Sequence, residues 1–232
     1  MTINLNIVFA VPLHCQECVD DVNSALGKLD GISSVNIDLK KELVQVEGSV
    51  APSTIVKAIQ QTGRDAIVRG TGEPNSSAVC ILESHDPLQA ASPVRGLARL
   101  VKASPSSTLV DLTLSGMHPL TTYYASVRTN GDISRGPLST GSMHKYLGAI
   151  DVDVNGEGQS FLMKNDLPIW ELIGRSIVVG EDRTCKNTFL QDVVGVIARS
   201  AGVWENEKTV CSCSGKTVWE ERKDARAKGI EA

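Results

Sequence analysis

Between Gly70 and Ser77 the chain reads Gly-Thr-Gly-Glu-Pro-Asn-Ser-Ser, and the hydrophobic pattern differs on its two sides. Such a cluster favours turns over helix or strand, so residues 71–77 read as a linker. Before it, two periods alternate. Residues 3–11 are apolar and β-branched, a strand pattern. From Cys18, the apolar residues Val19, Val22, Ala25, Leu26 and Leu29 recur at helical spacing, and Gly31 stops the run. Residues 32–39 and 43–50 alternate as strands across a turn at Lys40–Glu42. Pro52 or Ser53 opens a second helix that Gly63 ends, and Asp65–Arg69 is a short last strand. The order β-α-β-β-α-β predicts a ferredoxin-like α+β domain over residues 1–70. After the linker, residues 78–83, 94–102, 108–115, 123–129, 177–179 and 193–198 are short alternating segments between Gly, Asn, Asp and Pro. They predict an all-β barrel or sandwich over residues 78–204. Twenty glycines and only 4% aromatic residues suit that turn-rich texture. Residues 205–232 form a polar, mostly irregular tail, in which Thr217-Val-Trp-Glu220 has the spacing of a capping box for a short helix ended by Gly229.

A net charge of −4 implies no broad basic surface, so nucleic acid is not an expected partner. No apolar run approaches the roughly 20 residues that span a bilayer, and Met1–Pro12 lacks the basic start of a signal peptide. The expected location is therefore a reducing compartment: the cytoplasm, with the mitochondrial intermembrane space as a second site. There, six cysteines are a poor disulfide set, and metal binding or thiol redox chemistry is the better expectation for the clustered ones.

Four of the six lie in two close pairs at opposite ends of the chain. Cys15 and Cys18 form C-x-x-C at an expected strand-to-helix turn, where both sulfurs can meet one point and the helix start favours thiolate. Thiolates suit the soft Cu(I) ion. Three alternatives stand beside copper. A thioredoxin-like redox pair would need its Trp and Pro and a different element order. Half of a zinc site would need two more ligands, and none lies nearby. The third is a chance pair. Cys211 and Cys213 form C-x-C, which could bind one Cu(I), share copper with another thiol pair, or close a strained, oxidising disulfide. Two unrelated surface thiols are the plain alternative.

The first 70 residues, with Leu13-His14-Cys15-Gln16-Glu17-Cys18, resemble the heavy-metal-associated domain of copper chaperones and copper-transporting ATPases. Leu13 stands where that family carries a Met that packs beneath the loop, and His14 reads as an exposed loop residue. Residues 77 to about 202 resemble Cu,Zn superoxide dismutase through Ala78–Leu82, Val94-Arg95-Gly96, Gly131-Asp132, Ile173-Gly174-Arg175 and Gly195-Val196-Ile197-Ala198. The likeness implies an eight-stranded Greek-key barrel. It also implies that this barrel lacks the dismutase chemistry. Ser126, Arg128 and Gly180 stand at copper-ligand positions, and the active-site arginine falls near Gln191. Only His144 matches a bridging ligand, and one ligand does not make a metal site, so zinc is doubtful and whether His144 supports any is left open. His85 and His118 read as surface residues, Cys80 as a small buried one and Cys185 as an idle loop thiol. Gly136-Pro137 and Val194 stand near where the dismutase has its disulfide.

What the likeness keeps is the dimer surface: Ile173, Gly174 and Arg175 with Gly195, Val196 and Ile197, flanked by Trp170 and Trp204. Tryptophan suits an interface hot spot and equally a core. A heterodimer with Cu,Zn superoxide dismutase is therefore the implied assembly, with a homodimer through the same face as another. The stretch Gly195–Trp204 and Cys211–Asp224 resembles the C-terminus of fungal copper chaperones for superoxide dismutase. The three parts together imply that Cys15 and Cys18 collect Cu(I) and that the barrel docks. Cys211 and Cys213 would then pass copper on and oxidise the target's cysteines. Two rivals remain: a dismutase with a fused copper loader, which the missing histidines oppose, and a general thiol oxidoreductase. Whether copper comes from a membrane importer is left open.

Overall fold

The structure, a computed structural model, describes residues 5–71, 76–89, 93–199 and 223–224. Two compact units divide between Ser77 and Ala78. The first contains β1 (Leu5–Ala10), α1 (Gln16–Leu26), β2 (Ile32–Asp38), β3 (Leu43–Gly48), α2 (Pro52–Gln60) and β4 (Ile67–Val68). Its sheet runs β2-β3-β1-β4 and every pair is antiparallel, the ferredoxin-like order. Alternation puts Leu5, Ile7 and Phe9 of β1 into the core. Cys18, Val22 and Leu26 recur one turn apart on the buried stripe of α1, and Ile55, Val56 and Ile59 do the same on α2.

Helix α1 begins and ends earlier than its apolar period suggests. Cys15 is its N-cap, Gln16 and Glu17 fill the first turn, and Cys18 is its third residue. Polar first-turn residues are invisible to a count of apolar ones, and an acidic Glu17 there suits the helix dipole. Leu29 lies past the helix in a turn whose N–H donates to the Leu26 carbonyl. Gly31, at φ +94°, then reverses the chain into β2. Strand β4 is shorter than Asp65–Arg69. The ends of the expected linker meet, since the Thr71 N–H donates to Ser76 Oγ at 3.2 Å.

The second unit contains β5 (Ser77–Ser84), β6 (Val94–Lys102), β7 (Thr108–Leu114), β8 (Thr122–Arg128), β9 (Ser134–Pro137), β10 (Met143–Asp151), β11 (Gly158–Lys164), β12 (Ser176–Gly180), β13 (Val193–Val196) and β14 (Ala198–Arg199). The sheet order is β10-β8-β12-β13-β5-β6-β7-β11, with β14 also on β5. A Val152–Gly158 bridge links the end of β10 to the start of β11, so the antiparallel sheet nearly closes. Leu82, Leu100, Leu112, Val127, Leu147, Ile150, Ile177 and Val179 fill its interior. Strands β9 to β11 are absent from the sequence expectation. Register shifts between Met143 and Lys145 and between Tyr146 and Gly148 break the alternation of β10, and most of β11 is half-buried. Leu147 is fully enclosed. Leu147→Ala is expected to lower barrel stability by about 2–5 kcal/mol, read as a lower urea midpoint; an unchanged midpoint would contradict this core.

Trp204, Cys211 and Cys213 lie outside the described residues. Lys223 and Asp224, inside the stretch expected to be helical, are helical and exposed. Among the described residues no helix is long and apolar enough to cross a membrane.

Candidate functional site

The loop after β1 and the first turn of α1 bring the first thiol pair together. Cys15 Sγ and Cys18 Sγ are 3.5 Å apart. Cys15 is exposed and Cys18 buried, so one sulfur is anchored and the other faces solvent. The loop is held from beneath. Leu13 is buried, and its N–H donates to Glu42 Oε1 at 3.3 Å. The Val11 N–H donates to the Glu42 carbonyl at 2.9 Å. Leu13 thus takes the packing place expected for it, while His14 is exposed beside Glu42. Among the described residues no group of three His, Cys, Asp or Glu converges to hold a metal, so the site offers two sulfurs.

Cys18 is an acidic thiol, with its pKa lowered to about 6. A hydrogen bond from the His14 backbone contributes most, followed by the Arg64 guanidinium and the Cys15 side chain; desolvation opposes them. At pH 7 the thiolate therefore predominates, as a soft-metal ligand requires. Arg64 was not legible as a site residue. It follows α2 in sequence, and only the α1–α2 packing carries it to Cys18, where Asp21 Oδ2 also holds it at 3.0 Å. Alkylation of Cys18 in the metal-free protein should titrate with a midpoint near pH 6, and Arg64→Met should move the midpoint toward an ordinary thiol, about 8.5. An unchanged midpoint would remove Arg64 from the site. The linked stability has a definite sign. Because the folded value lies below the unfolded one, the contribution is complete above the unfolded pKa and is lost as pH falls through about 6.

In the barrel, Ser126 and Arg128 of β8 face away from the core residue Val127, beneath the loop that joins β12 to β13. Arg128, 2% exposed, donates from Nη1 to the Cys185 carbonyl at 2.7 Å and from Nη2 to the Gly141 carbonyl at 2.6 Å. A Cβ on Gly180 would meet Asp192 Oδ1 at 2.3 Å, so a side chain there would require Asp192 to move. The remaining cavity is about 10 Å³, room for one water-sized group. Cys185 is buried, and burial pushes its thiol pKa up. Burial also pushes the carboxyl of Asp192 up to about 6. His144 is exposed. These residues do not fit a dismutase copper centre. Cys80 is sealed in the core, its pKa pushed up to about 12 by burial.

The residues expected at the docking face divide by depth. Trp170 is 69% exposed on a 3-10 turn (Ile169–Glu171) whose Ile169 is buried, so it is not a core tryptophan. Gly174 is exposed at φ +79°, and its N–H donates to the Ile197 carbonyl at 2.9 Å. Arg175 donates to the Glu171 and Thr129 carbonyls. Ile173 and Val196 are half-buried, whereas Gly195 and Ile197 are buried in the barrel. Gly195 packs on the Ile81 backbone, with no space for a side chain.

A cysteine pair with one exposed thiol on a ferredoxin-like domain, joined to a dismutase-like barrel with Ser126, Arg128 and Gly180 at the copper-ligand positions, defines a metallochaperone. Residues 8–65 match the heavy-metal-associated domain family. Over the full length of both proteins the chain is 51% identical to the superoxide dismutase 1 copper chaperone of Debaryomyces hansenii. It is 44% identical to the protein of that name from Saccharomyces cerevisiae, covering 96% of each chain. It is 32% identical to the copper chaperone for superoxide dismutase of Sus scrofa, over 92% of this chain and 88% of the other. The chain belongs to the copper chaperones for superoxide dismutase.

Proposed function

We propose that this metallochaperone delivers Cu(I) to a Cu,Zn superoxide dismutase and forms the target's disulfide by thiol exchange. One contrast carries the proposal: the first unit presents an exposed Cys15 beside the acidic Cys18, while in the barrel Arg128 stands at one copper-ligand position and Asp192 fills the space beside another, Gly180. Copper bound here has no destination within the barrel. Thiolate–metal bonds are about 2.3 Å in zinc sites, so a linear two-sulfur site of similar bond length would need about 4.6 Å between sulfurs. Cys15, on the exposed side of the loop, can swing outward to open the observed 3.5 Å. The same swing lets an incoming thiolate replace one sulfur at a time, so copper passes by ligand exchange and is never released as a free ion.

The barrel supplies the address through Trp170, Gly174 and Arg175, in a heterodimer with the target. Cys211 and Cys213 complete the transfer. In the oxidised tail, a target thiolate attacks the Cys211–Cys213 disulfide and gives a mixed disulfide and one free tail thiolate. The second target thiolate then displaces the other tail sulfur. The target gains one disulfide and loses two electrons, which the tail takes up as two thiols. The cytoplasm is the proposed location, where the thiols of Cys15 and Cys18 stay reduced and the tail disulfide is transient.

A trapping experiment tests the reading against a general thiol oxidoreductase. Cys213→Ser leaves Cys211 without its partner, and under mild oxidation it should accumulate a mixed disulfide with metal-free, reduced dismutase, and only weakly with unrelated thiol proteins. Equal trapping of unrelated proteins would favour the oxidoreductase.

A further inference from the structure

Three anchors meet at the base of one loop, residues 129–142, between β8 and β10. The loop closes on itself through Thr129 N–H to the Ser142 carbonyl, 3.0 Å, and Asn130 N–H to the Thr140 carbonyl, 2.9 Å. From one side, Arg128 donates to the Gly141 carbonyl at 2.6 Å. From the other, Arg175 Nη1 donates to the Thr129 carbonyl at 2.9 Å and Ser176 Oγ to the Asn130 carbonyl at 2.6 Å. The second nitrogen of Arg128 holds the Cys185 carbonyl, 57 positions along the chain. Gly141 and Cys185 both have positive φ, +77° and +51°. For Cys185 that conformation is unfavourable and must be held by its surroundings.

We propose that Arg128 is a built-in cation that clasps the 129–142 and 181–192 loops, so that the docking face is set without any bound metal or disulfide in the barrel. The inference rests on the docking role proposed above. The loop reaches that face directly, because Gly131 stacks on Gly174, where an added Cβ would meet the Gly174 carbonyl oxygen at 2.1 Å. A shift at the base of the loop therefore moves Gly131 against Gly174, beside Trp170 and Arg175. The chemistry suits a permanent clasp. A guanidinium offers several fixed, coplanar donors and stays charged at any physiological pH. A lysine has one nitrogen and cannot reproduce the fork that spans two carbonyls. Among the described residues the cysteines are free, so no disulfide shares the task there. The consequence for function is specific: the protein can dock while it is reduced and while its copper is being handed over.

The test uses the full chain and its Arg128→Met and Arg128→Lys variants. Backbone hydrogen exchange is followed in residues 129–142 and 181–192, and affinity for metal-free, reduced dismutase is measured with and without chelator and reductant. Wild type should keep its exchange pattern and its affinity within twofold in chelator and reductant. Arg128→Met should lose protection in both loops by at least tenfold and weaken docking by at least tenfold. Strands β5 to β7 and Cu(I) binding at Cys15 and Cys18 should stay unchanged. If Arg128→Met does not fold, Arg128→Lys carries the test and should show the same loop-confined loss to a smaller degree. Loop protection within twofold of wild type, exchange rising evenly across the barrel, or a wild-type pattern altered by chelator would each overturn the clasp. If wild type fails to bind dismutase, the docking proposal fails, and the exchange data still decide whether Arg128 holds the loops.

Discussion

Replacing Cys211 and Cys213 with serine is expected to abolish dismutase activation at every copper concentration. Replacing Cys15 and Cys18 is expected to abolish it only when copper is scarce. The difference follows from where each pair acts. In the proposed mechanism the tail follows a barrel that docks on the target, and covalent attachment of that kind raises local concentration to about mM. The seven steps from Trp204 to Cys211, if extended, would span roughly 23–25 Å at about 3.3–3.6 Å each, enough to cross much of a small barrel's face. Nothing in solution replaces that placement. The first pair instead gathers copper, and its acidic Cys18 and exposed Cys15 suit capture from a dilute supply. Abundant copper replaces gathering. Each double variant is expressed in cells that lack the chaperone, over a copper series, and dismutase activity is assayed. Rescue of the tail variant by added copper, with no rescue of the N-terminal one, would reverse the two roles.

The second large effect is expected at Trp170. A tryptophan left 69% exposed on a 3-10 turn, three residues before the half-buried Ile173, has the character of an interface anchor. Trp170→Asp should weaken the complex by about 30- to 1,000-fold, or about 2–4 kcal/mol, the range of hot-spot truncations. Its exposure in the free protein means that folding should be untouched. The alternative, a charge at Gly174, is less clean. Its φ of +79° makes any side chain there strained, by about 1–2 kcal/mol, even though a Cβ would meet nothing. Calorimetric titration into metal-free dismutase decides the matter. Affinity within threefold of wild type, with an intact melting transition, would place the interface elsewhere.

Local patterns were legible in the sequence where one period governed a segment. The βαββαβ order emerged from alternation in residues 32–50 and from the helical repeat of Val22 and Leu26. Strands β5 to β8 showed the same clarity. The reading failed where geometry broke the period, as in the twice-shifted β10, and where polar residues began α1 before its first apolar position. For the site, Cys15 and Cys18 announce themselves by spacing. Arg64 does not, because its link to Cys18 exists only once α1 packs on α2. The copper positions show a similar limit. The sequence indicates that Ser126, Arg128 and Gly180 cannot be ligands, but not that Arg128 binds two loop carbonyls or that Asp192 fills the space beside Gly180. Gly195 and Ile197 match an interface motif by identity, but sequence does not tell that both are buried in the barrel while Trp170 and Gly174 are exposed.

The most direct test of the central claim is transfer under competition. The Cu(I)-loaded protein is mixed with metal-free, reduced, zinc-supplemented dismutase in excess Cu(I) chelator, and copper location, target thiols and dismutase activity are followed together. The account predicts that copper reaches the dismutase despite the chelator. Activity should rise in step with it, and one target disulfide should form for each tail disulfide consumed. Copper found in the chelator, with the dismutase inactive, would contradict delivery by direct thiolate exchange.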